Sequence, residues 1–215
     1  LTQMQNTCSN LAVTYSEALF KSWFIDFCFP NKDGVSYLEN GGAMKETPYG
    51  IVPTEWDVIQ LGSILQIRNE RVGEREDVPE YSITNRGVNL RSENFSKRIT
   101  KNSAKNKLAY NGDLIFGMSR EILNFGVMKD EIGSVSPAYH VYEIDESKMN
   151  PEFLEIYMRL CDNYFSSLIK PGAREGQVLD KNEVQTKLII CPPIDLQNQY
   201  MLTRKYLMQF AIFGV

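Results

Sequence analysis

Histidine occurs once in this chain of 215 residues and cysteine four times, and both scarcities narrow the chemistry open to it. His140, set in Ala138-Tyr139-His140-Val141-Tyr142, reads as a strand residue. A lone histidine leaves little room for a His-based metal site or a Ser-His-Asp triad. Cys8, Cys28, Cys161 and Cys191 lie far apart and form no C-x-x-C, a spacing that argues against structural zinc. Nothing marks the chain for export, so the cysteines read as reduced and the chain as cytoplasmic. No apolar run approaches the ~20 residues a membrane span needs. The polar N-terminus, LTQMQNTCSN, lacks the basic and apolar regions of a signal peptide. Opening on Leu1 instead of Met is expected of a position inside a longer open reading frame.

Motifs of nucleotide and DNA-modifying enzymes are also missing. No Gly-x-x-x-x-Gly-Lys-Ser/Thr is present, which argues against ATP hydrolysis. Cys191-Pro192-Pro193-Ile194 has the double proline of an amino-methyltransferase loop without its polar first residue or aromatic last one. Phe116-Gly117 and Phe125-Gly126 do not belong to a strand–Gly-x-Gly–helix unit, as a methyl-donor site requires. Glu146-Ser147-Lys148 is a Glu-x-Lys fragment of a metal-dependent nuclease site with no Pro-Asp upstream. The residues give no catalytic group, no metal ligand set and no cofactor site.

What is present is a polar but ordinary globular composition, 43% apolar and 23% charged, with a formal net charge of −4. The distribution of charge says more than the sum. Residues 33–80 are rich in acids. From Thr84 to Lys107 come Arg86, Arg91, Lys97, Arg98, Lys101, Lys105 and Lys107, with Glu93 the one acid among them. An acidic segment followed by a basic one suggests one face for an anion; a solvated loop with scattered charge is the alternative. Within the basic stretch Asn85, Arg86 and Asn89 have side chains for reading base edges, since Arg pairs with guanine and Asn with adenine. Arg91, Lys97, Arg98, Lys101, Lys105 and Lys107 suit phosphates, which set register without reading sequence. Arg120 with Lys129 forms a second candidate patch and Lys170 with Arg174 a third. In the last, the Gly and Pro of Lys-Pro-Gly-Ala-Arg-Glu-Gly would let backbone amides approach a phosphate.

The two ends read as helices. Leu1, Met4, Cys8, Leu11, Tyr15 and Ala18 alternate by three and four, the spacing of a coiled-coil seam, and Leu19, Phe20, Trp23 and Phe24 broaden the apolar surface. Leu196, Tyr200, Thr203, Leu207 and Phe210 repeat that spacing over 195–215. An amphipathic helix packed on its own domain is the alternative to a coiled coil. Residues 30–50, with Pro30, Gly34, Gly41, Gly42, Pro48 and Gly50, read as a linker. Between them the pattern is mixed. Strands are expected at Val58–Leu61, Ser63–Ile67, Leu114–Met118, Ser134–Val135, Tyr139–Ile144 and Lys187–Cys191. A helix is expected over Pro151–Phe165, and a short one after Leu179 with Asp180 as N-cap and Glu183 three residues on. The expected division is a helix over 1–29, a linker over 30–50, an α+β domain over 51–191 and a second helix over 192–215.

Several stretches, in order, carry a family resemblance. Gly50-Ile51-Val52-Pro53-Thr54-Glu55-Trp56 followed by Leu61-Gly62-Ser63-Ile64 resembles the opening of a target-recognition domain in Type I restriction–modification specificity subunits. Leu19–Phe27 resembles the end of the helix that precedes such a domain. Gly112-Asp113-Leu114-Ile115-Phe116 is similar to its central strand, Gly133–Tyr139 to the strand that follows, and Ile190-Cys191-Pro192-Pro193-Ile194 to the lead-in of the second conserved helix. The departure is Leu196-Gln197, where the family has Glu-Gln.

The resemblance implies a mixed recognition domain flanked by two long helices that form a coiled coil, and half of a subunit that reads one part of a split DNA target. It implies no catalysis by the chain itself. The implied partners are double-stranded DNA, methyltransferase subunits, a restriction subunit through them, and a second copy paired through the terminal helices. Met4, Leu11, Tyr15, Leu19, Trp23, Tyr200, Leu207 and Phe210 are the expected helix contacts. A helical scaffold that docks a methyltransferase with little DNA binding of its own is the competing expectation.

Overall fold

The computed structural model describes residues 2–31, 33–91, 103–118, 121–172 and 176–213, with side chains from 7 to 211. Its elements run α1 (Thr2–Phe24), β1 (Met44–Thr47), β2 (Gly50–Pro53), β3 (Asp57–Gln60), a 3-10 turn (Leu61–Ile64), β4 (Leu65–Arg68), β5 (Tyr81–Thr84), β6 (Gly87–Leu90), β7 (Lys107–Tyr110), β8 (Leu114–Phe116), β9 (Phe125–Val127), β10 (Ile132–Val135) and β11 (His140–Ile144). Then come α2 (Pro151–Leu160), α3 (Asp162–Phe165), β12 (Ile169–Pro171), β13 (Gln177–Leu179), α4 (Lys181–Thr186), β14 (Leu188–Cys191) and α5 (Ile194–Phe213). They form two compact units, one joining Leu1–Ile59 to Leu188–Val215 and the other comprising Gln60–Lys187.

In the first unit α1 buries Ala12, Ser16, Phe20, Trp23 and Phe24. The four-residue step from 12 to 24 places one face inward, and the three aromatics at its end decide which face that is. Tyr200 of α5 meets Phe20, Trp23 and Phe24 at ring-centroid distances of 5.6, 6.2 and 5.4 Å. Trp56 closes the cluster against Phe24 and Phe29. Buried aromatic pairs of this kind add ~0.5–1.5 kcal/mol each beyond their area. The Tyr200 hydroxyl donates to the Ser16 carbonyl at 3.1 Å, so the tyrosine is buried without an orphaned polar group. Gln197 is buried beside it, its amide donating to the Pro192 carbonyl at 2.7 Å.

Two expectations are corrected here. The seam expected along Leu11 and Tyr15 faces solvent, at 63% and 70% exposure, because the aromatic end of the helix turns the neighbouring face inward. Trp23 and Tyr200, expected as contacts for a partner, lie in the chain's own core instead. The stretch 30–50 is also not linker throughout: β1 pairs antiparallel with β2, Met44 opposite Pro53 and Thr47 opposite Gly50. The Thr47 hydroxyl donates to the Gly50 carbonyl at 2.7 Å and ties the turn, while Gly50 takes φ 139°.

The second unit is built on an antiparallel four-stranded sheet in the order β4-β11-β8-β9. β10 pairs with β7, β5 with β6 and β12 with β13, all antiparallel. Tyr81, Ile83, Ala109, Ile115, Met128, Val135 and Val141 form one core cluster. α2 starts as its sequence predicts: Asn150 caps it, accepting from the Phe153 amide at 3.1 Å, and Pro151 stands at its first turn. It buries Phe153, Leu154, Tyr157 and Met158. The single helix expected over 151–165 breaks at Cys161 (φ −112°, ψ 38°). Asp162 then accepts from the Asn163 amide, a local bond that competes with helix continuation. The expected cap of the next helix is present, with Asp180 accepting from the Asn182 and Glu183 amides.

The turn into β8 carries a nearly sealed ion pair. Gly112 takes φ 86°, which suits a residue without Cβ. Asp113 accepts from Arg68 Nε at 2.7 Å and Nη2 at 3.1 Å, and from the Tyr110 amide at 2.9 Å. Burial pushes the Asp113 carboxyl up, against these hydrogen bonds. Burial also works against the charge of Arg68, yet Asp113 and Glu143 hold its pKa above the ordinary value.

Candidate nucleic-acid interface

The strongest read-out candidates stand on the β5–β6 hairpin. Thr84 pairs with Gly87, leaving Asn85 and Arg86 as the two loop residues. Neither has positive φ; Gly87, at φ 100°, supplies it. Both loop residues are exposed, and the Arg86 guanidinium has no bonding partner among the described residues. The hairpin is held from behind by Arg159 of α2. This side chain donates to the carbonyls of Asn85 and Phe125, each at 3.1 Å, pairs with Glu155 at 2.7 Å and lies 4.7 Å from the Phe125 ring centroid. β9 also presses against the turn, for a Cβ added at Gly126 would meet Val88 N at 2.8 Å and Gly87 Cα at 2.9 Å. The result is an exposed Asn-Arg tip on a braced base. Beside it Asn85, Ile122, Leu123, Phe125, Met158 and Asn163 help line a hollow of about 390 Å³.

The other candidates separate. Asn89 is half-buried, and its amide nitrogen donates to Thr84 Oγ1 and the Gly87 carbonyl, so it stabilises the turn. The Arg91 amide donates to the Glu80 carbonyl at 2.8 Å. Lys105 and Lys129 are exposed. Lys107 is buried, its ammonium donating to the Tyr139 carbonyl at 2.6 Å. Lys170 pairs with Asp180 at 2.9 Å, which leaves less of its charge for a phosphate. Lys97, Arg98, Lys101, Arg120 and Arg174 lie outside the described residues, as does the Met4 side chain. On the terminal helices Leu19 and Leu207 are half-buried and Phe210 is 63% exposed. Leu202 and Tyr206 of α5, not singled out in the sequence, are exposed as well.

Sequence reasoning missed Arg159, Arg71 and Lys181. Arg159 bears no motif; its i,i+4 partner Glu155 is the only local signal. Arg71 lies in the acidic stretch, yet an isolated antiparallel bridge sets it opposite Lys107. Among the described residues no group of three His, Cys, Asp or Glu stands close enough to hold a metal ion, and no helix is long and apolar enough to cross a membrane.

No protein-family model matches the chain. A comparison with curated proteins finds the Type I restriction enzyme MjaIX specificity subunit of Methanocaldococcus jannaschii. It is 27% identical over 185 residues, which are 81% of this chain and 41% of that protein. Among solved structures the chain is similar to the HsdS subunit from Thermoanaerobacter tengcongensis. There the TM-score is 0.52 and the identity 15%, over 97% of this chain and 46% of that one. A second similar structure addresses complex assembly and conformational transition of the type I R-M system, with TM-score 0.55, 14% identity, and coverage of 98% and 47%. The chain thus spans about half the length of the relatives it matches. Sequence and fold agree with the resemblance carried by the motifs: this chain is a relative of the Type I restriction–modification specificity subunits and matches half of one.

Proposed function

We propose that the chain is a non-catalytic, sequence-specific DNA-recognition subunit of a Type I restriction–modification complex. The observation that carries this reading is the similarity to a specificity subunit over four-fifths of the chain. The Gln60–Lys187 unit is the recognition domain, with Arg86 and Asn85 at the tip that enters a groove and exposed basic side chains such as Lys105 and Lys129 on phosphates. Lys97, Arg98, Lys101, Arg120 and Arg174 belong to the same proposed surface. α1 and α5 form the coiled-coil spacer. Their exposed Leu11, Tyr15, Leu202, Tyr206 and Phe210 support contacts with methyltransferase subunits or a second copy, and a restriction subunit joins through the former. A pair of copies would bind a two-fold symmetric, split site in the cytoplasm.

The test is duplex binding by the full chain across a salt series. A DNA reader gives log affinity falling linearly with log salt, at about −0.9 per phosphate neutralised. A flat line sinks the proposal. The same exposed helix faces favour a second reading, a docking scaffold with little DNA contact. That reading expects a stable complex with a methyltransferase subunit whose affinity is unchanged by Arg86→Ala.

A further inference from the structure

Basic groups converge in the Gln60–Lys187 unit where no carboxylate pairs with them. Lys107 opens β7 and is buried, and the Tyr139 carbonyl is the one partner its ammonium has among the described residues. Arg71 stands opposite Lys107 across an isolated bridge, and its Nη1 donates to the Lys105 carbonyl at 2.8 Å. His140 follows Tyr139 directly and opens β11. Its Nδ1 is buried, with no hydrogen-bond partner among the described residues. Lys181 opens α4 and is exposed. Arg71, Lys105, Lys107 and Lys181 form no ion pair among the described residues. The nearest acid in sequence, Asp180, is engaged by Lys170 and by the helix amides it caps.

These groups act on one another. Burial holds the Lys107 ammonium below its ordinary pKa, and the charges of Arg71 and Lys181 depress it further. Burial likewise lowers His140, with Lys181 and Lys107 adding to the effect. Like charges gathered without a counter-ion raise the free energy of the unliganded protein, and a bound anion reverses that sign. Arg71, Lys105 and Lys181 are exposed, whereas Lys107 and His140 are recessed. An oxyanion presenting several acceptor oxygens matches such a set; Arg supplies a planar fork and Lys a point charge.

We propose that Arg71, Lys105, Lys107, His140 and Lys181 form a single phosphate-binding site that grips the DNA backbone. The proposal rests on the DNA-recognition reading above and adds a contact to it that does not depend on the tip at Arg86. Gripping one phosphodiester here fixes the register of the domain on the duplex and carries no base information.

His140 is the only histidine, so its ring signals in a proton–carbon NMR spectrum report on this site alone. The full chain is titrated with a mixed-sequence duplex and, separately, with inorganic phosphate. The expected result is a shift of the His140 ring signals and a rise of its pKa on adding duplex. In parallel, Arg71→Ala with Lys181→Ala should lower the salt slope by about 1 per removed contact and weaken mixed-sequence binding roughly tenfold. Both positions are exposed, and an unchanged melting temperature verifies the fold. A steep wild-type slope retained in the double variant, with His140 unmoved, overturns the site and leaves the DNA reading standing. A flat wild-type slope defeats the DNA reading itself. A His140 response to inorganic phosphate but not to duplex overturns the DNA-backbone assignment in favour of a small phosphate ligand.

Discussion

Removing one member of the Arg68–Asp113 pair tests whether the second unit is organised around the turn into β8. Asp113 has a side chain only 3% exposed and accepts two bonds from Arg68 and one from the Tyr110 amide. Arg68→Met leaves that carboxylate buried with one donor. Breaking a buried pair from one side costs about 3–5 kcal/mol. Arg68 is itself 21% exposed, so solvent screens part of the loss and the lower end, about 3 kcal/mol, is expected. Stabilities of natural domains are about 5–15 kcal/mol, so this is a large share. It should lower the melting temperature by ~6–12 °C. Asp113→Leu alone orphans the Tyr110 amide and leaves Arg68 with the exposed Glu143, so it too should destabilise. The double variant Arg68→Met/Asp113→Leu should recover part of the loss, because no unpaired charge remains. Urea unfolding of the four proteins yields the coupling energy. Single variants each within about 0.5 kcal/mol of wild type, with additive effects, would falsify the role given to the pair.

Four further outcomes are expected. Arg86→Ala should cost about 1–3 kcal/mol of discrimination between cognate and scrambled duplexes, with the salt slope reduced by no more than about 1; competition binding reads both. Gly126→Ala should destabilise by about 1–3 kcal/mol in thermal melts, because the new Cβ meets backbone at Val88 and Gly87 that cannot move aside; a neutral effect contradicts that packing. His140 has its folded pKa held below 6.5 by burial and then by Lys181 and Lys107, so its neutral form is the one the fold favours. The stability this confers is complete above pH 6.5 and is lost as pH falls toward the lowered value, so His140→Gln should flatten the melting temperature in that window. Leu11→Lys with Phe210→Lys should abolish methyltransferase capture or self-association measured by mass in solution, while leaving duplex binding by the recognition unit intact.

The sequence made legible what depends on local signals. Asn150 and Asp180 announce their caps, Pro151 a first turn, and the helical runs at both ends their length. The Gly112-Asp113-Leu114 motif marked the position of the central turn. Hidden from it was everything set by pairing across the chain. The strands β5 and β6 are short and fall where charge masks the apolar pattern. The buried face of α1 turned on where Trp56 and Tyr200 sit in space, so the stripe counted along the helix was the outer one. The same cause divided the basic candidates. Lys107 and Lys170 looked equivalent to Arg86 in sequence, but one is buried against a carbonyl and the other pairs with Asp180, whereas Arg86 stands free on a braced tip. Arg159 and Arg71 escaped notice because their partners, Asn85, Phe125 and Lys107, are distant in sequence.

Selection of bound duplexes from a randomised pool by the full chain, followed by sequencing, tests the central claim most directly. The account predicts enrichment of a defined half-site, split and repeated if two copies pair, and loss of preference at one or two positions with Arg86→Ala. A pool that emerges unenriched, although protein and duplex are mixed at low salt, would contradict sequence-specific recognition by this chain.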